Sequence, residues 1–424
     1  MASFSIPLTG LNADSTALNT IANDLANMNT TAFKSQTTKF SDLFYQEVGS
    51  TGAGDPIQVG AGVQVATNET DFTQGSISST GNAADVALDG NGFFVARDGG
   101  GAYEYTRAGN FSQTSDGYLV TVNGLQVMGY PAVNGVVNTS APLTAIQIPE
   151  GVQQPQATTT LNMTTNLDAT AAQNSQFPGQ ATVYDSLGSP HIVTITYTET
   201  APNTWNYSAA LPASDFASSV GTPVTGTMNF STSGVLDSVT SGGVTTPVGT
   251  ATGDASSIPL SFSGLADGAA DLNMNWSVLG SSGTPSISQV NADSAVTGTT
   301  QNGFAPGSNQ GFTVGSDGTV TVSYSNGQKQ NVGQLALANV TNVQGLQLLG
   351  NGDYATTLAS GTASIGTSGA GGLGKVQDAS LEGSNVNISA EFSALIIAQR
   401  AFEANSKAVT TFDSVTQETI NMIH

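Results

Sequence analysis

Apolar residues follow two rhythms along the chain, a helical one at both ends and an alternating one between them. Near the N-terminus Leu11, Leu18 and Leu25 recur every seven residues, and Ile21 and Met28 supply the intermediate steps. This three-four alternation predicts a helix with a coiled-coil seam, interrupted near its start by Asp14. Asn12, Asn19, Asn23 and Asn27 place polar amides beside the stripe. At the C-terminus Phe392, Leu395, Phe402, Val409, Phe412, Ile420 and Ile423 form a looser seam. Asn387 or Ser389 suits the cap of that helix, and Glu391 suits its first turn. Residues 388–422 contain no Gly or Pro, so a helix there extends roughly 50 Å at 1.5 Å per residue. A lone amphipathic helix is marginal in water. The seams therefore predict ends that become ordered against other chains.

Between the ends the pattern is that of strands and turns. Val193, Ile195 and Tyr197 alternate with Thr194, Thr196 and Thr198, as in a half-buried strand. Trp205 and Tyr207 fit one face of the next strand. Leu119–Val122, Asn123-Gly124 and Leu125–Met128 predict a hairpin with a two-residue turn. Asp116-Gly117, Asp317-Gly318 and Asn326-Gly327 repeat the turn signal. Two Gly/Ser-rich stretches just inside the helices, 46–65 and 359–374, are expected to be connectors. The fold class is thus mainly β with a terminal α-helical coiled coil, and nested β domains are inserted between the two helices. The expected divisions are 1–35 with 385–424 for the helices, and 36–69 and 359–384 for the connectors. An inner β domain comprises 70–149 with 299–358, and an outer one, 150–298, is nested within it.

Composition narrows the function. The 424 residues carry a formal charge of −22, only eight are Lys or Arg, and none of these lies between Arg107 and Lys329. Nucleic acid is excluded as a partner, because binding it requires clustered cations to displace counterions. Anionic membranes are disfavoured on the same ground. No apolar stretch is long enough to be inserted in a membrane, and no cleavable signal peptide is visible. Cysteine is absent, which suits an oxidising exterior.

No motif carries catalysis or a cofactor. Gly369–Val376 approaches a phosphate loop, but Val376 stands where the motif needs Ser or Thr. Asp89-Gly90-Asn91-Gly92 hints at a calcium loop, yet its twelfth position is Gly100, so a tight turn is the better reading. His191 and His424 are the only histidines. No zinc-ligand spacing surrounds either, and His191 is expected to be a polar residue at a strand edge.

The run Leu18–Lys34 resembles the opening signature of the flagellar rod and hook protein family. Leu381–Ile388, followed by Gln399–Asn405, resembles its closing signature. Asp71–Gly75, Leu88–Phe94 and Tyr105–Phe111 are similar to the β domain shared by hook and distal-rod proteins. Val183–Gly188 resembles the insertion typical of the hook branch, and Gln301–Gly307, Tyr324–Gln328 and Leu337–Leu346 return to the first domain in hook-like fashion. Ala32 departs from the pattern, which usually has Gly there; a left-handed turn is strained for Ala, so an altered bend is expected.

The resemblance implies a structural subunit without enzymatic activity. Its copies build a curved, flexible tube that carries torque from rod to filament, with the terminal helices lining the tube. It implies as partners further copies, other axial proteins (rod, hook–filament junction, hook cap) and the export apparatus. It also implies an extracellular location reached by type III export. The residues Leu11, Leu18, Ile21, Leu25, Met28, Phe392, Leu395, Phe402, Val409 and Phe412 are the expected self-assembly seam. A distal-rod or hook-associated protein is the alternative within the class. A secreted β-rich adhesin and a polysaccharide-cleaving β-helix enzyme are the alternatives outside it.

Overall fold

The structure, a computed structural model, describes residues 5–44, 46–50, 56–280 and 282–422. Two helices bracket a long series of strands: α1, Ser5–Ala26, and α2, Ile388–Asn421. The chain divides into two compact units. One holds residues up to Glu150, Gly311–Ser323 and everything from Lys329 onward; the other holds Gly151–Gln310 and Tyr324–Gln328.

In the first unit α1 and α2 pack together. Asn387 caps α2 by accepting from the backbone N–H groups of Ser389 and Ala390 at 3.1 and 3.2 Å, and Glu391 sits in the first turn. Both choices satisfy donors that a helix start leaves unpaired and place negative charge at the positive end of its dipole. The β part is a sheet in which Lys329–Leu335, Gln126–Val133, Phe93–Arg97, Tyr103–Thr106, Asp353–Ala355 and Gln347–Gly350 lie side by side. Its core is Phe93, Val95, Tyr105, Met128, Tyr130, Ala336, Ala338, Val340, Leu346 and Tyr354.

Among the described residues, the expected connectors contain paired strands. Gln36–Asp42 pairs antiparallel with Val63–Thr70, Lys375–Asp378 with Val86–Asp89, and Ser380–Glu382 with Ile77–Ser79. Backbone pairing needs no large side chain, so Gly- and Ser-rich sequence can form such short strands. At Asn123-Gly124 the chain also departs from the two-residue turn. The pairing stops at Val120↔Gln126, and the Gly124 N–H closes a turn on the Thr121 carbonyl at 2.9 Å. Gly124 takes φ +80° while Asn123 stays out of the left-handed region. A type I′ turn needs positive φ at both central residues, so this sequence takes a longer loop instead.

The nested unit contains two sheets. One is a six-stranded antiparallel meander running from Gln176–Tyr184 to Val244–Pro247. The other has Thr160–Asp168 at its centre, paired with Leu272–Ser277, Ile287–Val290 and Ala295–Gln301. The alternation at 193–198 appears as expected: Val193, Ile195 and Tyr197 are buried and the threonines between them are half-buried. Trp205 and Tyr207 lie buried on the adjacent strand. They stack into a core with Tyr197 and Trp276, where the Tyr207 and Trp276 rings meet edge-on at 5.6 Å.

Candidate functional site

The helix pair does not join through the residues that the heptads predict. The buried positions of α1 are Pro7, Gly10, Ala13, Ala17, Thr20 and Asp24, spaced three or four apart along one face. On α2 the buried residue is Ala398. Small side chains let the two backbones approach closely. A Cβ on Gly10 would lie 2.7 Å from Nδ2 of Asn405, and that amide donates to Oδ2 of Asp14 at 2.8 Å. Asp14, which breaks the heptad in sequence, is thus part of the helix–helix contact.

The leucine stripe flanks this seam. Leu11, Leu18, Ile21 and Leu25 are half-buried, as are Leu395, Val409 and Phe412, while Phe392 and Phe402 are exposed. Met28 lies in the turn beyond α1 and is exposed. Ile6, Leu8, Ile396, Ile397 and Ile420 add further exposed apolar surface. Ile423 and His424 lie outside the described residues. A cavity of about 400 Å³ opens between α1, α2 and the strand Gln36–Asp42, lined in part by Ala17, Thr20, Ile21, Phe40, Ile397 and Ala398.

Where both chain ends enter the β body, the quoted motifs converge on a buried ionic cluster. Lys34 Nζ lies 2.6 Å from Glu382 Oε1, with both side chains fully buried. Arg107 Nε stands 3.6 Å from Glu382 Oε2. Lys34 also donates to the Thr73 carbonyl at 2.7 Å, Arg107 to the Gly90 carbonyl at 2.7 Å, and the Gly75 N–H to Glu382 Oε1 at 2.9 Å. A side chain on Gly75 would collide with the Gly383 carbonyl, so the close approach of these two segments requires glycine. Asn385 adds a second tie: its Oδ1 accepts from the Ser35 N–H at 2.8 Å and its Nδ2 donates to the Asp71 carbonyl at 2.7 Å. Burial lowers the Lys34 and Arg107 pKa values, with Glu382 opposing the shift in each case.

Ala32, beside this cluster, keeps the left-handed bend with φ +55°, contrary to the expected altered turn. Its N–H donates to the Glu382 carbonyl at 2.8 Å, and the surrounding contacts hold a conformation that costs about 1–2 kcal/mol for a residue with a Cβ.

Asp24 closes the top of the junction. Its Oδ2 accepts from the Gln36 N–H at 2.8 Å, while its Oδ1 is buried without a hydrogen-bond partner. Burial pushes its pKa up to about 6 against the pull of the Gln36 bond, and the charge of Glu391 adds to the rise.

His191 stands second on the strand Pro190–Ala201, at the strand end expected for it, but it is not an isolated polar group. It is buried in the nested unit, with Nδ1 2.8 Å from Asp215 Oδ2 and Nε2 3.1 Å from Asp185 Oδ2. Burial alone would lower its pKa; the hydrogen bonds that the ring donates to Asp215 and Asp185 outweigh that and raise it. Linear spacing hid this group, because the contacts come from separate loops. The phosphate-loop-like segment instead packs onto the turn at Asp89: the Gly374 N–H donates to the Asn91 carbonyl at 2.7 Å, and Lys375 pairs with Asp89 in the strand.

Four family models match the chain. They are "Flagella basal body rod protein" over residues 6–34, "Flagellar hook protein FlgE/F/G D1 domain" over 87–165, "Flagellar basal body protein FlaE D2 domain" over 153–304, and "Flagellar basal body rod FlgEFG protein C-terminal" over 377–422. The flagellar hook protein FlgE of Salmonella typhimurium is 35% identical over 99% of this chain and 100% of its own length. That of Escherichia coli K12 is 33% identical over 99% of both, and that of Treponema pallidum 33% over 98% of both. The crystal structure of Helicobacter pylori flagellar hook protein FlgE2 shares the fold, with a TM-score of 0.54 at 14% identity over 71% of this chain and 99% of that one. With paired terminal helices, a β body entered by both chain ends and full-length relatives above 30% identity, the chain belongs to the flagellar hook protein FlgE family.

Proposed function

We propose that this structural subunit of the flagellar hook polymerises by burying the apolar flanks of α1 and α2 against neighbouring copies. One observation carries the reading: the two helices approach most closely at glycine and alanine and leave their large side chains half-buried or exposed. Each such side chain gains about 1.5–3 kcal/mol when fully buried. A ring of copies therefore supplies a driving force that one chain forgoes. Phe392 and Phe402 project as knobs, Leu11, Leu18, Ile21 and Leu25 form the face they approach, Leu395, Val409 and Phe412 extend it, and Met28 caps its end. The cavity beside Ala17 and Ala398 receives a side chain from a neighbour.

In this reading the terminal helices form the inner layer of the tube, and the two β units are the inner and outer domains around it. The nested unit has no Lys or Arg between 151 and 310, so copies meet there without forming salt bridges and slide at low cost as the tube bends. The subunit leaves the cell unfolded by type III export and meets rod, junction and cap proteins at the ends of the tube.

The test is the double variant Phe392→Ser/Phe402→Ser. The expected result is a monomer with unchanged helix content that no longer forms tubes in electron micrographs. Tubes of normal yield and shape from that variant would overturn the reading.

A further inference from the structure

The nested unit contains nine carboxylates between residues 151 and 310 and no Lys or Arg. Three of those carboxylates gather around its one histidine. Asp185 sits in the turn before the strand Pro190–Ala201, on which His191 is the second residue. Asp215 ends the short helical turn Ala213–Asp215. Asp267 lies in the loop that follows Leu265. The loops are tied by backbone: the Ala266 N–H donates to the Asp215 carbonyl at 2.9 Å, and the Ala270 N–H to Ser186 Oγ at 3.0 Å.

Two features of this cluster call for a cation. The ligand atoms of Asp185, His191 and Asp267 all lie within 4.8 Å of one another, which puts two carboxyl groups in one small space. Carboxylates that close repel unless a proton or a metal ion lies between them. The second feature is the orientation of the imidazole. Asp215 holds Nδ1 at 2.8 Å while Nε2 faces Asp185 at 3.1 Å. A metal ion that takes the place of the Nε2 proton, with the Nδ1 proton still donated to Asp215, meets the Nε2 lone pair on the side where Asp185 and Asp267 stand. A carboxylate anchoring the far nitrogen of a ligating histidine is the arrangement that orients metal-bound imidazoles and strengthens them as ligands.

We infer that Asp185, His191 and Asp267 form a binding site for a first-row divalent cation of the zinc class, with Asp215 orienting the imidazole. One nitrogen and two carboxylate oxygens suit Zn²⁺, whose sites mix such donors, better than Ca²⁺, which takes six to eight oxygens. Asp185 is fully buried and His191 nearly so, whereas Asp267 is exposed, so the ion enters from the Asp267 side. Once bound, it ties the turn at Asp185 and the start of the strand after it to the Asp267 loop without any Lys or Arg.

The test uses the full-length monomer stripped with EDTA and then dialysed against micromolar Zn²⁺, with Mg²⁺ and Ca²⁺ in parallel. The expected result is about one Zn²⁺ retained per chain, a raised melting temperature, and visible d–d absorption when Co²⁺ replaces Zn²⁺. Asp267→Asn changes an exposed residue and is expected to keep the fold by circular dichroism while losing the retained ion and the Co²⁺ bands. Asp215→Asn is expected to weaken binding about 10–100-fold. Zn²⁺ retention equal in wild type and Asp267→Asn would overturn the inference. So would wild type that retains no Zn²⁺, or that binds Ca²⁺ or Mg²⁺ in its place.

Discussion

The nested unit and the terminal helix pair bury their side chains in opposite ways. The nested unit places Trp205, Trp276, Tyr197 and Tyr207 at its centre with almost no exposed surface, so its large apolar groups are spent within one chain. The helix pair buries glycine, alanine and threonine and leaves Phe392, Phe402, Ile396 and Ile397 outside. One region is complete as a folded body; the other keeps apolar surface that the proposed assembly would cover. A core finished within one chain stabilises the subunit, and apolar surface left over is what the proposed assembly draws on.

That contrast can be broken or sharpened experimentally. Trp276→Ala has the largest expected effect, a loss of about 3–5 kcal/mol from the nested unit. Chemical denaturation followed by tryptophan fluorescence measures it, and the far-ultraviolet helix signal is expected to remain. A helix signal lost in the same transition would erase the distinction between the regions. Next comes Glu382→Gln, which leaves Lys34 and Arg107 as buried cations without a counter-charge. Breaking a buried pair in this way costs about 3–5 kcal/mol, and the remaining amide oxygen keeps the loss near the lower end. Global stability in urea reads it, and tubes are expected to form poorly because both helices are then weakly seated.

A smaller effect belongs to Asp24. Its carboxyl titrates at about 6 in the fold and at 3.8 when unfolded. Below the unfolded value both states hold the proton and the junction keeps its full stability. As the pH rises through the folded value that contribution is lost. The helix pair is therefore expected to melt more easily at neutral pH than in mild acid. Asp24→Asn should flatten this profile and add about 1–2 kcal/mol at neutral pH. A variant with the pH profile of wild type would refute the role given to Asp24. Ala32→Gly carries the smallest effect, within about 1 kcal/mol of zero, because relief of left-handed strain offsets the freer unfolded chain. Thermal melts of the two proteins decide it.

The class of fold was readable from the sequence because periodicity separates helix from strand. Val193, Ile195 and Tyr197 mark their buried face by alternation alone. Heptad leucines, however, identify an apolar stripe and not its partner. The contact within the chain uses Gly10, Ala13 and Ala17, which a count of large apolar residues passes over. The buried ionic cluster was also hidden, since Lys34 and Glu382 stand 348 positions apart. Each charge did sit inside a quoted family motif, and one buried charge per motif was the available signal. For His191 the linear distances were short, 6 positions to Asp185 and 24 to Asp215. Only the folding of the intervening strands brings both acids to the two sides of the ring.

The pair formed by Lys34 and Glu382 has a mechanical consequence. The first described helix ends shortly before one member, and the last begins shortly after the other. Force applied to either end of the polypeptide therefore meets the β body where the two end segments are tied to each other. A twist entering through the helices is divided between two strands of backbone at one anchorage, which is the mounting a drive shaft needs if its coupling is not to unravel from one side.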